Sequence, residues 1–315
     1  MKSTFSIGDV SAAPGTKARG FVKVPNTAVQ FPIVIANGAQ EGPTLLVTAG
    51  IHGAEYPCID AGIKFGAAVD AAQVCGQVIV CAPVSVNAFT ARQAFYVPED
   101  GKNLNRSFPG KPFGTIAEQM AYTLLTQVAE RADVWLDLHG GDIPEALIPF
   151  SILVNAPDPK VTEKARAVAA AFGIEYVVMS STIEGTTTGA AASRGIPAVL
   201  AEAGQLGILD DESTQILLNG CFNVARYMGV LPGEVTPAKV TEFANWPWVR
   251  ATHTGCWYPQ VKVGDTVQEG QVVGIVTDFF GEKLAEYRAP ASGLVLLLCA
   301  SMSIKQNDPL IGVAY

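Results

Sequence analysis

Three histidines, His52, His139 and His253, are the only imidazoles in the chain, so any histidine chemistry draws on them. His52 follows a short apolar run, residues 43–49 (PTLLVTA), and Glu55 lies three positions on. On a helical turn that spacing puts both side chains on one face. His139 ends a second apolar run, 134–139, with Asp137 two residues before it. The period of two along a strand turns Asp137 and His139 to the same side. Two His and one Glu make a catalytic zinc set, with three protein ligands and one open position. Such a metal lowers the pKa of water toward roughly 7 and polarises a carbonyl. Asp and Glu are 29 of 315 residues, so a His meets one three places on about one time in ten, and His-x-x-Glu alone says little. The second His, at another strand end and with its own carboxylate, is what strengthens it. The competing reading is a set of polar residues lining a small-molecule cleft.

Glu202 follows the apolar run 198–201 and precedes Gly204. A carboxylate there suits a general base for an activated water, or else a helix cap or ion pair. Residues 103–110 (NLNRSFPG) form a polar loop that holds Asn105 and Arg106. Arg grips carboxylates in a two-pronged way, and a neighbouring amide adds a hydrogen bond. Arg92, in an upstream loop, offers a charge for a developing oxyanion. For both arginines the alternative is an ordinary surface role.

The elements that must position these residues alternate. A hairpin is expected over 22–35. Buried strands are expected at 43–49, 78–86, 134–139, 150–155, 176–179 and 198–201. Helices are expected at 58–68, 115–132, 158–172, 187–194 and 210–228. This alternation predicts an α/β layer architecture with a mixed, mainly parallel sheet. In open α/β sheets ligands bind beyond the carboxyl ends of the strands, where His52, Glu55, His139 and Glu202 all fall. Beyond a linker at 231–239 the helical spacing ends, and short strand-like pieces recur at 252–258, 266–267, 271–277, 284–289 and 293–300. The expected domains are therefore 1–238 and a small all-β unit, 239–315.

A net charge of −8 and the lack of a basic run argue against nucleic acid as a partner. No apolar run reaches the roughly 18 residues of a membrane span, and the first residues do not read as a secretory signal. The six cysteines form no C-x-x-C pair and read as buried thiols of a reducing, cytoplasmic compartment. There is no G-x-S-x-G elbow, no phosphate loop and no dinucleotide fingerprint. The apolar fraction of 49% makes self-association, as a homo-oligomer, an expectation.

Taken in order, His52-Gly53-Ala54-Glu55, then 103–110, then Asp137-Leu138-His139, then Glu202-Ala203-Gly204 resemble the succinylglutamate desuccinylase/aspartoacylase family, relatives of the zinc carboxypeptidases. The resemblance implies a three-layer α/β/α sandwich and one zinc ion per chain, held by His52, Glu55 and His139. It implies Glu202 as general base, Arg106 with Asn105 as a carboxylate clamp, and Arg92 as the carbonyl-polarising group. In the second unit, 263–271 and 289–293 look like turns of a lipoyl/biotinyl-type domain. Lys283 lacks the flanking Met residues of a carrier lysine. The expected activity is hydrolysis of the amide of a small N-acylated amino acid or amine. The rivals are a carboxypeptidase acting on short peptides, a metal-binding or ligand-binding protein without turnover, and a carrier or assembly module. His253 is expected to be structural.

Overall fold

A nine-stranded mixed sheet forms the centre of the computed structural model, which describes residues 2–181 and 184–315. Its strands run in the order Thr241–Phe243, Tyr176–Ser180, Phe150–Val154, Ala198–Glu202, Val134–His139, Gln40–Ala49, Cys75–Cys81, Gln30–Asn37 and Thr16–Lys23. The four from Ala198–Glu202 to Cys75–Cys81 are parallel. Phe150–Val154 and Gln30–Asn37 flank them in the antiparallel sense. Parallel register aligns Glu202 with His139, and Ala49 with Leu138, so three strands end at one level.

Both faces of this sheet are covered, which is why its strands read as unbroken apolar runs rather than as alternation. Successive residues still divide between the two faces. Leu45, Val47, Leu136 and Leu138 pack with Phe65, Val168, Phe172 and Leu217 of helices Tyr56–Ala68, Pro159–Phe172 and Asp211–Tyr227. Leu46 and Trp135 pack on the other side with Met120, Leu124 and Ala191. Each large apolar side chain so buried contributes about 1.5–3 kcal/mol. The expected three layers are present.

Local chemistry explains the helix ends. Asp158 caps Pro159–Phe172 by accepting from the Lys160 amide at 3.0 Å, and Gly173 leaves the helix at a φ of 102°. Asp210 caps Asp211–Tyr227 by accepting from the Ser213 amide at 2.7 Å. Two expectations are corrected. The hairpin expected over 22–35 pairs Thr16–Lys23 with Gln30–Asn37, so its strands reach further on both sides. A short N-terminal hairpin, Phe5–Ile7 with Val10–Ala12, precedes it. The single helix expected over 115–132 is α-helical only at Ile116–Thr123, then widens into a π turn, Leu124–Val128, and tightens at Ala129–Arg131. Thr123 and Thr126 donate their hydroxyls to the carbonyls of Gln119 and Tyr122, each at 2.8 Å, which bends a helix away from its regular ladder.

The C-terminal all-β region consists of two small sheets closed over Trp257, Val273, Leu298 and Ile311. The Trp257 indole N–H donates to the Cys299 carbonyl at 3.0 Å. The two sheet systems are interlocked. Thr241–Phe243, past the 238/239 boundary, adds the outermost strand of the large sheet. Glu145–Leu147, from the large unit, pairs antiparallel with Gly293–Cys299 of the small one. Leu147, Phe150 and Val178 share an apolar cluster with Leu296, Leu297 and Ala314.

Candidate metal centre and active-site cavity

Gly50 ends strand Gln40–Ala49 at a φ of 70°, a left-handed turn that suits glycine and sends the chain across the strand ends. His52 and Glu55 follow, with Glu55 immediately before helix Tyr56–Ala68. Gly53 passes so close to helix Val86–Ala91 that a Cβ there would lie 2.4 Å from the Ala88 carbonyl carbon. On the neighbouring strand, His139 arrives beside this turn. His52 Nδ1 lies 2.6 Å from Glu55 Oε1, and His139 Nδ1 lies 3.0 Å from Glu55 Oε2. All three residues are buried and their ligand atoms lie within 4.8 Å of one another.

The opposite edges of the two rings are held from behind. His52 Nε2 lies 3.1 Å from Asn103 Oδ1, and His139 Nε2 lies 3.0 Å from Asp137 Oδ2. Asp137 also accepts from the Thr48 hydroxyl at 2.6 Å and the Thr187 hydroxyl at 2.5 Å. Thr48 Oγ1 in turn accepts from the Trp135 indole N–H at 2.7 Å. An ionised carboxylate only accepts, so Asp137 fixes a proton on His139 Nε2. His139 Nδ1 then faces the Glu55 carboxylate without hydrogen-bond geometry, and among the described residues Glu55 Oε2 is a buried oxygen with no hydrogen-bond partner. Positive charge must sit between these atoms, as further protons or as a cation. Converging Nδ1, carboxylate and Nδ1 donors, each ring backed by an oxygen, match the ligand set and supporting partners of a zinc centre.

Electrostatics point the same way. Burial pushes Glu55 up, but His52 and His139 outweigh it and hold its pKa at about 2. Burial works against charge on His139, yet Glu55 and Asp137 hold it well above the usual histidine range. Burial first, then the Glu55 carboxylate, push Glu202 up to about 8, with His139 opposing. Glu145 is raised to about 7 by burial and by Glu55. Asp142 is raised to about 9 by burial, then by Glu145, Glu55 and Glu202. So many carboxylates in one enclosed place are short of positive charge.

This centre lies in a cavity of about 970 Å³. Glu202, Asn105, Arg106 and Glu145 line it, and the far wall carries Trp246, Trp248 and Arg250 from beyond residue 238. Asn105 Oδ1 accepts from the Thr187 amide at 2.9 Å, and Arg106 Nη1 donates to the Asn105 carbonyl at 2.6 Å. Enclosure lowers the Arg106 pKa although Glu145 opposes this, and a guanidinium stays charged regardless. His52, Glu55, His139, Glu202, Asn105 and Arg106 are thus brought together.

Arg92 is not. It is exposed, adopts a left-handed φ of 54° at the end of helix Val86–Ala91, and is not among the residues lining the cavity. The carbonyl-polarising role implied for it has no support in its position. His253 is also exposed, with its Nδ1 2.9 Å from the Thr252 hydroxyl, and Lys283 lies 3.7 Å from Glu286. Sequence reasoning missed Asn103, Glu145 and Arg250. Asn103 opens the NLNR loop and was within reach. Arg250 lies in a different sheet system, and nothing local marks it.

The chain is similar to known proteins over most of its length. Residues 41–228 match the family model of the succinylglutamate desuccinylase/aspartoacylase catalytic domain. The N-alpha-acetyl-L-2,4-diaminobutyric acid deacetylase of Halomonas elongata is 32% identical over 311 residues, spanning 94% of this chain and 90% of that protein. The chain belongs to the succinylglutamate desuccinylase/aspartoacylase family. Among solved structures, the product-bound ectoine utilization protein EutE (DoeB) from Ruegeria pomeroyi superposes with a TM-score of 0.87 at 28% identity over 95% of each chain. A succinylglutamate desuccinylase from a Silicibacter species gives a TM-score of 0.86 at 29% identity, covering 99% of this chain and 100% of that one.

Proposed function

We propose that this protein is a zinc-dependent deacylase that hydrolyses the amide bond of a small N-acyl amino acid. The observation that carries the reading is the convergence of His52 Nδ1, Glu55 and His139 Nδ1, each ring backed by an oxygen, on the floor of a cavity that also holds Glu202 and Arg106. The deacetylase activity named for the Halomonas elongata relative supports it. The three donors would hold one zinc ion, whose bound form supplies Lewis acidity toward the acyl carbonyl and acidity to water.

The chain's own residues do the rest. Arg106, with Asn105 beside it, grips the substrate carboxylate and fixes the scissile amide over the strand ends. Glu202 takes a proton from the attacking water and passes one to the amide nitrogen as the C–N bond breaks. The products are the free acid and the free amine. Trp246, Trp248 and Arg250 help to line the cavity, which supports a small substrate.

Amine release from a panel of N-acyl amino acids tests this, with zinc-loaded wild type run beside Glu202→Gln. We expect turnover by the wild type, and retained zinc with about 10²–10⁴-fold lower kcat in the variant. Full activity in Glu202→Gln overturns the mechanism. Peptide trimming without deacylation overturns the substrate class.

A further inference from the structure

Thr187 opens helix Thr187–Ser193 and is fully buried. Its neighbours Thr186 and Thr188 line the cavity, and Thr187 is not part of that lining. Its amide donates to Asn105 Oδ1 at 2.9 Å, and its hydroxyl donates to Asp137 Oδ2 at 2.5 Å. The first partner belongs to the proposed carboxylate clamp. The second is the same oxygen that accepts from His139 Nε2 at 3.0 Å.

The clamp loop also reaches the other histidine. Asn103 Oδ1 backs His52 Nε2 at 3.1 Å, and the Asn103 carbonyl accepts from the Arg106 amide at 3.0 Å and the Ser107 hydroxyl at 2.8 Å. The segment leading to Thr187 lies against the same loop. The Phe108 amide donates to the Gly185 carbonyl at 3.1 Å, and a Cβ on Gly185 would lie 3.0 Å from the Arg106 carbonyl oxygen. From His52 the contacts therefore run through Asn103 and Asn105 to Thr187, and on through Asp137 to His139. Glu55 closes the ring between the two imidazoles. In a buried ring each bond is held by the next, so loosening one member is felt by the others. A buried threonine needs partners for its polar groups wherever it sits. What distinguishes Thr187 is that its two partners serve different ligands, the metal and the substrate carboxylate.

We infer that Thr187 is a positioning residue that ties the carboxylate clamp to the metal centre, so that a change in one is felt in the other. The inference rests on the metal and clamp roles of the deacylase reading and deepens them. Thr187 touches neither ligand and moves no proton. It sets where Asn105 stands relative to His139, and with it the span between the gripped carboxylate and the carbonyl to be attacked.

The test uses zinc alone as the probe, by competition with a chromophoric chelator, on wild type, Thr187→Val, Thr187→Ser, Asn105→Ala and the double variant Asn105→Ala/Thr187→Val. Thr187→Val keeps the shape and the amide but loses the hydroxyl, and zinc affinity should fall about 10–100-fold. Thr187→Ser restores the hydroxyl and should stay within about twofold of wild type. Asn105→Ala changes the clamp alone, yet zinc affinity should fall about 3–30-fold, the range of coupling through a packed network. The double variant should bind zinc about as well as Thr187→Val, because the link is already cut. At saturating zinc, Thr187→Val should also raise KM for N-acyl amino acids about 3–30-fold. Wild-type zinc affinity in Asn105→Ala overturns the inference, and so does an additive loss in the double variant. Equal loss in Thr187→Ser and Thr187→Val overturns it too, by assigning the effect to packing. If Thr187→Val fails to fold, Asn105→Ala decides alone. A wild type that takes up no zinc overturns the metal reading and this inference together. A wild type that shows the coupling but hydrolyses no amide overturns the deacylase reading and leaves the link standing.

Discussion

Asp137 touches no substrate, yet it determines what His139 can do. By accepting from Nε2 at 3.0 Å it leaves Nδ1 free to face Glu55. Asp137→Asn keeps the shape but supplies an amide where a pure acceptor is needed. Zinc affinity should fall about 10–100-fold, measured by competition with a chromophoric chelator. Asp142 gives a second prediction at this scale. Its native pKa of about 9 lies above the ordinary 3.8, so the folded state holds a proton that the unfolded chain releases. Stability should therefore decline as pH rises from about 4 toward about 9. Asp142→Asn should flatten that slope, read as Tm against pH at fixed zinc. The residues legible in the sequence were those at strand ends: His52, Glu55, His139 and Glu202 all follow or finish apolar runs that locate them. Glu145 was not legible because its position is set by pairing with Cys299, a partner more than 150 residues away.

Elements place these groups through backbone contacts that no single motif records. The turn carrying His52 and Glu55 lies against helix Val86–Ala91 at Gly53, where a Cβ would meet the Ala88 carbonyl carbon at 2.4 Å. Gly53→Ala must part the turn from the helix. We expect a loss of about 1–3 kcal/mol in stability and weaker zinc binding, although no ligand is changed. Calorimetry and the same zinc competition check both. Strands and capped helices of the large sheet were legible because apolar runs, Asp158, Asp210 and Gly173 punctuate them. The break in the 115–132 helix was not, because Thr123 and Thr126 act through hydroxyl bonds that a tally of apolar spacing ignores.

At the scale of the whole molecule, the boundary read from composition lies between two units that share strands. Thr241–Phe243 completes one sheet and Glu145–Leu147 extends the other. A fragment covering 1–238 would expose Leu147, Phe150 and Val178 and lose the cavity wall at Trp246 and Arg250. It should aggregate on size-exclusion chromatography and show no deacylase activity, while the full chain unfolds in one calorimetric transition. Under the proposed zinc reading, the metal belongs to the same balance. A chelator should abolish turnover and lower Tm, by about 4 kcal/mol of stability for free zinc originally at a thousand times Kd.

The line of contacts from His139 through Asp137 and Thr48 ends on the indole of Trp135. That ring is fully buried, far from quenching by solvent. Under the proposed zinc reading, this indole is an optical gauge of metal occupancy. Emission excited at the indole band should shift as metal is titrated in, and Trp135→Phe should silence that component, leaving ion uptake to be followed in real time without any added dye.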